Sequence, residues 1–506
     1  MPFWDWAMDN GDVVPSVMRD DRVRVTKPNG SAVINNPLAS YSWGRSVPSE
    51  IGGTPWNNFP QTLRRPIANP TRSNNEELVS RFNSIRISLR DRLFALFASK
   101  QNWGSASTSA IGVRTDLSGS GVDSFEGVHD VVHNIAGGES GGHMYYLDIS
   151  SYDPLFWLHH FNVDRILAMY QLIVPDSYVA NGNINRGMAQ WNRGEPKNAY
   201  SPLKPFTKDT SGTYFTSVDV KETRVFGYYY PETSDRSYSQ VARAVTRLYG
   251  SGGRSITKRT DERTGQYLGR PLKEGDYHHV FSIIADKFAL DGSYTVYCFI
   301  GKSGGSAAHG NSTGRYDASK DFTLDPNYVG AYGILGGMKA GGGNSSAEPV
   351  MTEGSLPLTT CLQGKEHHGE LASLKPEHVE PYLAENMYYK VIGVQGELNP
   401  EDIPNFHVSV KSTKVKPAAS EDELPDLSAP YKVLPDATAH LPAGKPFTYV
   451  PSAVDIPLPA SPEYERPCKD GAKPTSPVPW EEDGYCAAQQ TVHYVDSTGK
   501  FLYAEM

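Results

Sequence analysis

The segment from Ser151 to Gln171, SYDPLFWLHHFNVDRILAMYQ, constrains this chain most, because it sets two adjacent histidines, His159 and His160, inside an aromatic amphipathic helix. Asp153 can cap the free backbone N–H groups at its start, and Pro154 suits the first helical position, where no N–H is needed. Phe156 falls one turn before His160 on the same face. Upstream, the run EGVHDVVH from Glu126 to His133 places His129 and His133 at i and i+4. On a helix that spacing brings two side chains within about 5–6 Å of each other. Both imidazoles can then share one ion at the roughly 2.0–2.1 Å of a metal–nitrogen bond. A lone HxxxH is more often two unrelated histidines than a metal site, and a lone His-His pair says less still. Joined to the F-x-x-x-H spacing and the Asp-Pro start, they point to a buried metal site. The residue after His129 is Asp130, not the glutamate that H-E-x-x-H zinc proteases use as a base, which argues against peptide hydrolysis. Imidazole ligands alone suit zinc, copper, iron or nickel.

E-x-x-H-x-x-x-H followed by DPLFWLHHFNVDR resembles the second copper motif of tyrosinases, the two-copper phenol oxidases, and most of all those of filamentous fungi. The likeness extends beyond the motif. Pro2 to Trp6, PFWDW, is similar to the stretch that follows the first copper motif, and Phe226 to Pro231, FGYYYP, to the tyrosine motif that closes the catalytic core. EPYLAENMYYKVIGVQG, within 371–410, resembles the C-terminal domain of fungal pro-tyrosinases.

This resemblance implies that His129, His133 and His160 hold one copper, with His159 beside them as a neighbour and not a ligand. It implies that Phe156 packs against the ligand imidazole one turn later. It also implies that Glu126 holds a water able to deprotonate an incoming phenol, that Leu147 falls near the residue gating access, and that Asp164 helps orient an imidazole. Ordinary roles compete for three of these: Leu147 as a core leucine, Glu126 as a solvated carboxylate, Asp164-Arg165 as a surface charge pair. At Asp130, enzymes that hydroxylate monophenols well often carry asparagine, so the balance of monophenolase and diphenolase activity stays open.

The family builds its centre from two coppers and six histidines, the first three lying upstream of the PFWDW stretch. Here that stretch follows Met1, and no histidine precedes His129. His143 lies in a Gly-rich loop, and the histidines from His278 onward lie beyond the core. The expectation is a tyrosinase lacking its first copper half, which binds at most one copper and does not oxidise phenols as written. In the complete family protein, phenolic substrates and O2 are the partners, and the chemistry is ortho-hydroxylation of monophenols and oxidation of o-diphenols to o-quinones, feeding melanin-type pigments. A catechol or o-aminophenol oxidase, a hemocyanin-like dioxygen carrier, and a non-catalytic remnant with one metal or none are the alternatives.

Composition narrows the rest. A net charge of −9 over 506 residues gives no electrostatic case for nucleic acid or an anionic membrane. No apolar run approaches the roughly 20 residues that span a bilayer. The first residues carry acids and no apolar core, unlike a secretory leader, which favours a cytoplasmic location. Oligomeric state has no sequence signal here. Cys298, Cys361, Cys468 and Cys486 form no C-x-x-C; Cys468 and Cys486 could pair, with reduced thiols the default in a cytosolic setting.

The predicted fold is a mainly α catalytic core, an incomplete copper-binding helical bundle, followed by a C-terminal β-sandwich. Residues 1–232 form the core, with a long helix from Glu76 to Lys100. Residues 233–276 read as an exposed linker open to cleavage, and 277–411 as a β-rich domain with strands such as SYTVYCFI at Ser293 to Ile300. By the resemblance this domain covers the copper site and holds the enzyme latent. Residues 412–506 read as a Pro-rich acidic tail.

Overall fold

The computed structural model of the chain describes residues 2–8, 13–44, 59–67, 71–110, 123–184, 191–251, 260–261, 265–290, 292–302, 322–336, 349–394, 396–445, 492–495 and 501–505. It divides into two compact units, one of Met1–Val174 with Phe226–Phe447, the other of Pro175–Val225 with Thr448–Met506. Most of the Gly/Ser-rich stretch from Gly301 to Gly343, most of the basic run from Lys258 to Arg263, and Cys468 and Cys486 fall outside the described residues.

In the first unit a hairpin, β1 (Arg22–Lys27) with β2 (Gly30–Asn35), precedes the long helix α1 (Asn75–Ser99). The Asn74 side chain caps α1 by accepting from the Glu77 N–H at 3.2 Å. Leu78, Phe82, Ile85, Leu89, Leu93 and Leu96 recur at helical spacing and line the main core. A short α2 (Trp103–Ser107) leads to α3 (Phe125–Gly137) and α4 (Pro154–Ile173), which contribute Val128, Val132, Ile166 and Met169 to the same core. The start of α4 is as its sequence predicts: Pro154 opens it, and Asp153 accepts from the Leu155 N–H at 2.9 Å. In the Pro175–Val225 part of the second unit, β3 (Gly182–Asn183) pairs with β4 (Pro196–Lys197) and β5 (Pro202–Thr207) with β6 (Tyr214–Thr216).

The expected linker at 233–276 is corrected in its first part. It contains α5 (Tyr238–Tyr249), whose Val241, Ala242, Val245 and Tyr249 are buried in the same core as α1 and α4. Ser237 caps this helix, accepting from the Gln240 N–H at 3.2 Å. Its polar composition hides a one-sided apolar stripe, which is what packs.

The C-terminal part of the first unit is a sandwich of two four-stranded antiparallel sheets. It comprises β7 (Tyr277–Asp286), β8 (Tyr294–Ile300), β9 (Tyr328–Ile334), β10 (Met351–Pro357), β11 (Met387–Gly393), β12 (Gly396–Leu398), β13 (His407–Lys414) and β14 (Lys432–Leu434), with α6 (Thr359–His367) and α7 (Pro376–Asn386) alongside. One sheet has the order β10-β7-β13-β14 and the other β12-β11-β8-β9. Phe281 and Ile283 meet Val296, Cys298 and Val391 between the sheets. The alternate residues of β8, Tyr297 and Phe299, join the helical core instead. Both faces of β8 are therefore covered, which is why SYTVYCFI carries apolar or aromatic groups at successive positions. Contact with the helices is close enough that a Cβ on Gly333 of β9 would lie 2.6 Å from Val131 Cα in α3.

The tail expected from residue 412 is also corrected as far as it is described in this unit. Leu424, Leu427, Tyr431, Leu434 and Ala437 are buried, and β14 pairs with β13. The nearest prolines, Pro430 and Pro435, flank this short edge strand and do not interrupt its pairing. In the second unit, β15 (Val492–Val495) and β16 (Phe501–Glu505) form a hairpin. Among the described residues no helix is long and apolar enough to cross a membrane.

Candidate metal centre

Helices α3 and α4 converge on one group of four histidines, His129, His133, His159 and His160, whose candidate ligand atoms all lie within 4.8 Å of one another. The i, i+4 spacing on α3 sets the His129 and His133 rings 4.5 Å apart. His160 enters from α4, its Nε2 standing 3.1 Å from Nε2 of His129. His133 and His159 are buried, whereas His129 and His160 keep partial exposure.

The partner of each Nδ1 decides which nitrogen carries the proton. His129 Nδ1 faces the Asp130 carboxylate at 2.9 Å, His133 Nδ1 the Met144 carbonyl at 2.9 Å, and His160 Nδ1 the Phe156 carbonyl at 2.8 Å. Each partner can only accept, so each Nδ1 donates and each neutral ring keeps its lone pair on Nε2. His159 is the opposite case. The Trp6 indole N–H donates to its Nδ1 at 3.0 Å, so the His159 proton sits on Nε2 and neither nitrogen has a lone pair to spare.

Three Nε2 lone pairs are thus presented by His129, His133 and His160. The pair 3.1 Å apart repels unless a cation stands at the lone pairs. That separation fits a metal: two ligands of a tetrahedral site with bonds of roughly 2.0–2.1 Å are about 3.3 Å apart. The buried His133 Nε2 has no protein partner among the described residues. Burial, then His129 and His160, pushes the His133 imidazole well below its ordinary value, and burial, then His129, pushes His160 down to about 4. Neutral rings are what a metal needs as ligands.

The other predicted residues are placed as follows. Phe156 stacks on His160 at 3.8 Å between centroids, besides accepting its Nδ1 proton. Asp130, buried, orients His129. Asp164 does not orient an imidazole: it accepts from the Tyr228 and Tyr230 hydroxyls at 2.8 and 2.6 Å, tying the tyrosine segment to α4. Arg165 beside it is not a surface residue but is buried against Glu232 and Asp5. Leu147 is not a core leucine; it is 40% exposed, between the 3-10 turns His143–Tyr145 and Ser150–Tyr152.

Glu126 is not simply a solvated carboxylate. It forms an ion pair with Lys287 and accepts from Thr108 Oγ1 at 2.7 Å, Ser109 N at 2.8 Å and Ser109 Oγ at 3.0 Å. Burial pushes its carboxyl up, but Lys287 and these donors prevail and hold it at about 2.

Sequence reasoning missed the Trp6 bond to His159, the Met144 carbonyl and Lys287. Trp6 lies in a motif that was noticed, but a carbonyl acceptor leaves no side-chain signal, and Lys287 comes from a distant strand end. A small apolar pocket beside His129 is lined by Trp6, Leu93, Phe125, Val128 and Ile166, among others.

These shifts set an expected pH dependence. His133 and His160 have depressed folded values, so their contribution is present above the ordinary 6.5 and is lost as pH falls through it, for His160 down to about 4. Glu126, and Glu139, which burial would raise but the Arg65 guanidinium at 3.0 Å holds down, both stand at about 2 and lose theirs as pH falls from the ordinary 4.5 toward 2. The melting temperature of the metal-free chain should therefore decline from pH 7 to 4 and more steeply below. A flat profile between pH 7 and 5 in scanning fluorimetry would contradict the neutral, buried imidazoles.

Comparison with known proteins bears on this centre. A family model described as the common central domain of tyrosinase matches residues 1–173, and one for the tyrosinase C-terminal domain matches 278–410. A tyrosinase of Neurospora crassa is 28% identical over 88% of this chain and 78% of its own length. One of Podospora anserina is 27% identical over 72% of this chain and 71% of its own. Among solved structures, a mushroom tyrosinase crystallised in latent and active forms superposes with a TM-score of 0.69 at 23% identity, covering 85% of this chain and 75% of that one.

Proposed function

This chain belongs to the tyrosinase family of copper oxidoreductases, and we propose that its histidine group is one copper half-site of a phenol-oxidising centre, held by His129, His133 and His160. The observation that carries this reading is the tautomer pattern: three rings keep Nε2 free as a ligand, while the Trp6 bond commits His159 to another role. Bound copper would supply electron exchange between dioxygen and a phenol. The protein's own contribution is positional. Asp130, the Met144 carbonyl and the Phe156 carbonyl hold the rings in register, and the Phe156 ring shields one face of His160. Leu147, exposed ahead of α4, is the proposed guard of the approach for substrate.

Two-copper chemistry needs three further imidazoles, and among the described residues no second group of three or more such ligands occurs. Turnover of monophenols or o-diphenols is therefore proposed for this half-site once a second histidine set is joined to it. The chain by itself, loaded with copper and desalted, is expected to retain one ion by plasma mass spectrometry. With catechol, its oxygen uptake should stay at the level of the blank. Retention of no copper would sink the ligand reading, and two ions with catechol-dependent uptake would sink the half-site reading.

A further inference from the structure

Helix α3 carries two acids one turn apart, Glu126 and Asp130, on the side that faces the β-sandwich. Like charges at i, i+4 repel. Between them stands Lys287, from the turn that follows β7: its ammonium pairs with Glu126 and lies 3.7 Å from Asp130 Oδ2. Lys287 is itself pinned, since its backbone N–H donates to the Val350 carbonyl at 2.9 Å and only 12% of its side chain is exposed. A second group from the sandwich, the Leu335 N–H, reaches Asp130 Oδ2 at 3.4 Å. Both sandwich contacts fall on the oxygen opposite the one that receives the His129 Nδ1 proton.

We propose that Lys287 is a positioning residue for the metal centre. By fixing Asp130 it fixes the His129 tautomer and ring direction, so the β-sandwich takes part in building the copper half-site. The inference rests on the ligand reading above. The sequence of contacts runs from β7 through a charge, a carboxylate and an imidazole, and each link is within bonding or ion-pair reach. Partners that orient metal-bound histidines in this way commonly affect affinity by about 10–100-fold.

The test compares the full chain with Lys287→Met, Lys287→Arg, His129→Ala and the double variant Glu126→Gln/Lys287→Met, which relieves the repulsion and keeps a foldable protein if Lys287→Met alone is unstable. Copper affinity is read by competition with a chromophoric chelator, and copper(II) coordination by electron paramagnetic resonance. Lys287→Met and the double variant are expected to bind copper about 10–100-fold more weakly with altered nitrogen hyperfine structure, and Lys287→Arg to restore both. If the parent chain binds copper and His129→Ala weakens it while both methionine variants match the parent, the Lys287 proposal fails alone. If His129→Ala changes nothing, the ligand reading fails first. A fall in melting temperature with unchanged affinity and spectrum would assign Lys287 a purely structural role and overturn the proposal.

Discussion

Replacing His160 with alanine is expected to lower copper affinity by at least about a hundredfold, whereas His159→Ala, one residue away, should lower it by less than about tenfold. The two rings are both close to the α3 histidines, with centroids 5.0 Å from His129 in each case. Proximity therefore does not separate them, and hydrogen bonding does. His160 spends its Nδ1 proton on the Phe156 carbonyl and keeps Nε2 bare, while His159 accepts the Trp6 N–H and must hold its proton on Nε2. His159→Ala should act on stability instead. It leaves the buried Trp6 N–H without its acceptor, a cost of about 1–3 kcal/mol. Chelator competition and urea denaturation on both variants measure the two effects separately. Equal loss of copper in both would make His159 a ligand and overturn the tautomer assignment.

Much of this site is legible in the sequence because it is local. His129 and His133 at i, i+4, the Asp153-Pro154 helix start and the Phe156-to-His160 turn are all set by helical geometry, and α3 and α4 bring them out as read. What was misread depends on distant chain. Glu126 and Asp130 look alike in sequence and share Lys287, and it is Thr108 and Ser109 on the one and the His129 ring on the other that give them different work. Asp164 has the right offset from His160, yet the Tyr228 and Tyr230 hydroxyls claim it from a segment more than sixty residues on. The same holds for the fold. A strand was readable at β8, but alternation could not say that one of its faces meets a sheet and the other the helices. Helix α5 was hidden by a polar average that conceals a strongly one-sided stripe.

Arg165→Met is expected to destabilise the chain by about 3–5 kcal/mol, since it would strip the cation from a buried network and leave two carboxylates unpaired. The guanidinium is 1% exposed. Its Nε and one terminal nitrogen grip Glu232 at 3.1 and 2.8 Å, and the other terminal nitrogen reaches Asp5 at 2.9 Å and Asn162 and Tyr249 at 3.0 Å each. The Tyr249 hydroxyl also donates to Asp5 at 2.9 Å, and the Phe3 ring lies 4.5 Å from the guanidinium carbon. One side chain therefore ties together the N-terminal PFWDW segment, α4, the turn at Pro231–Thr233 and α5. The link to the metal centre is short, because the same segment delivers Trp6 to His159. Lysine cannot replace this fork: a single ammonium cannot meet Glu232 in bidentate fashion while reaching Asp5, so Arg165→Lys should recover only part of the loss. Urea denaturation of the metal-free chain reads both variants. A loss below about 1 kcal/mol for Arg165→Met, the range of exposed ion pairs, would mean that the network does not hold these four segments together.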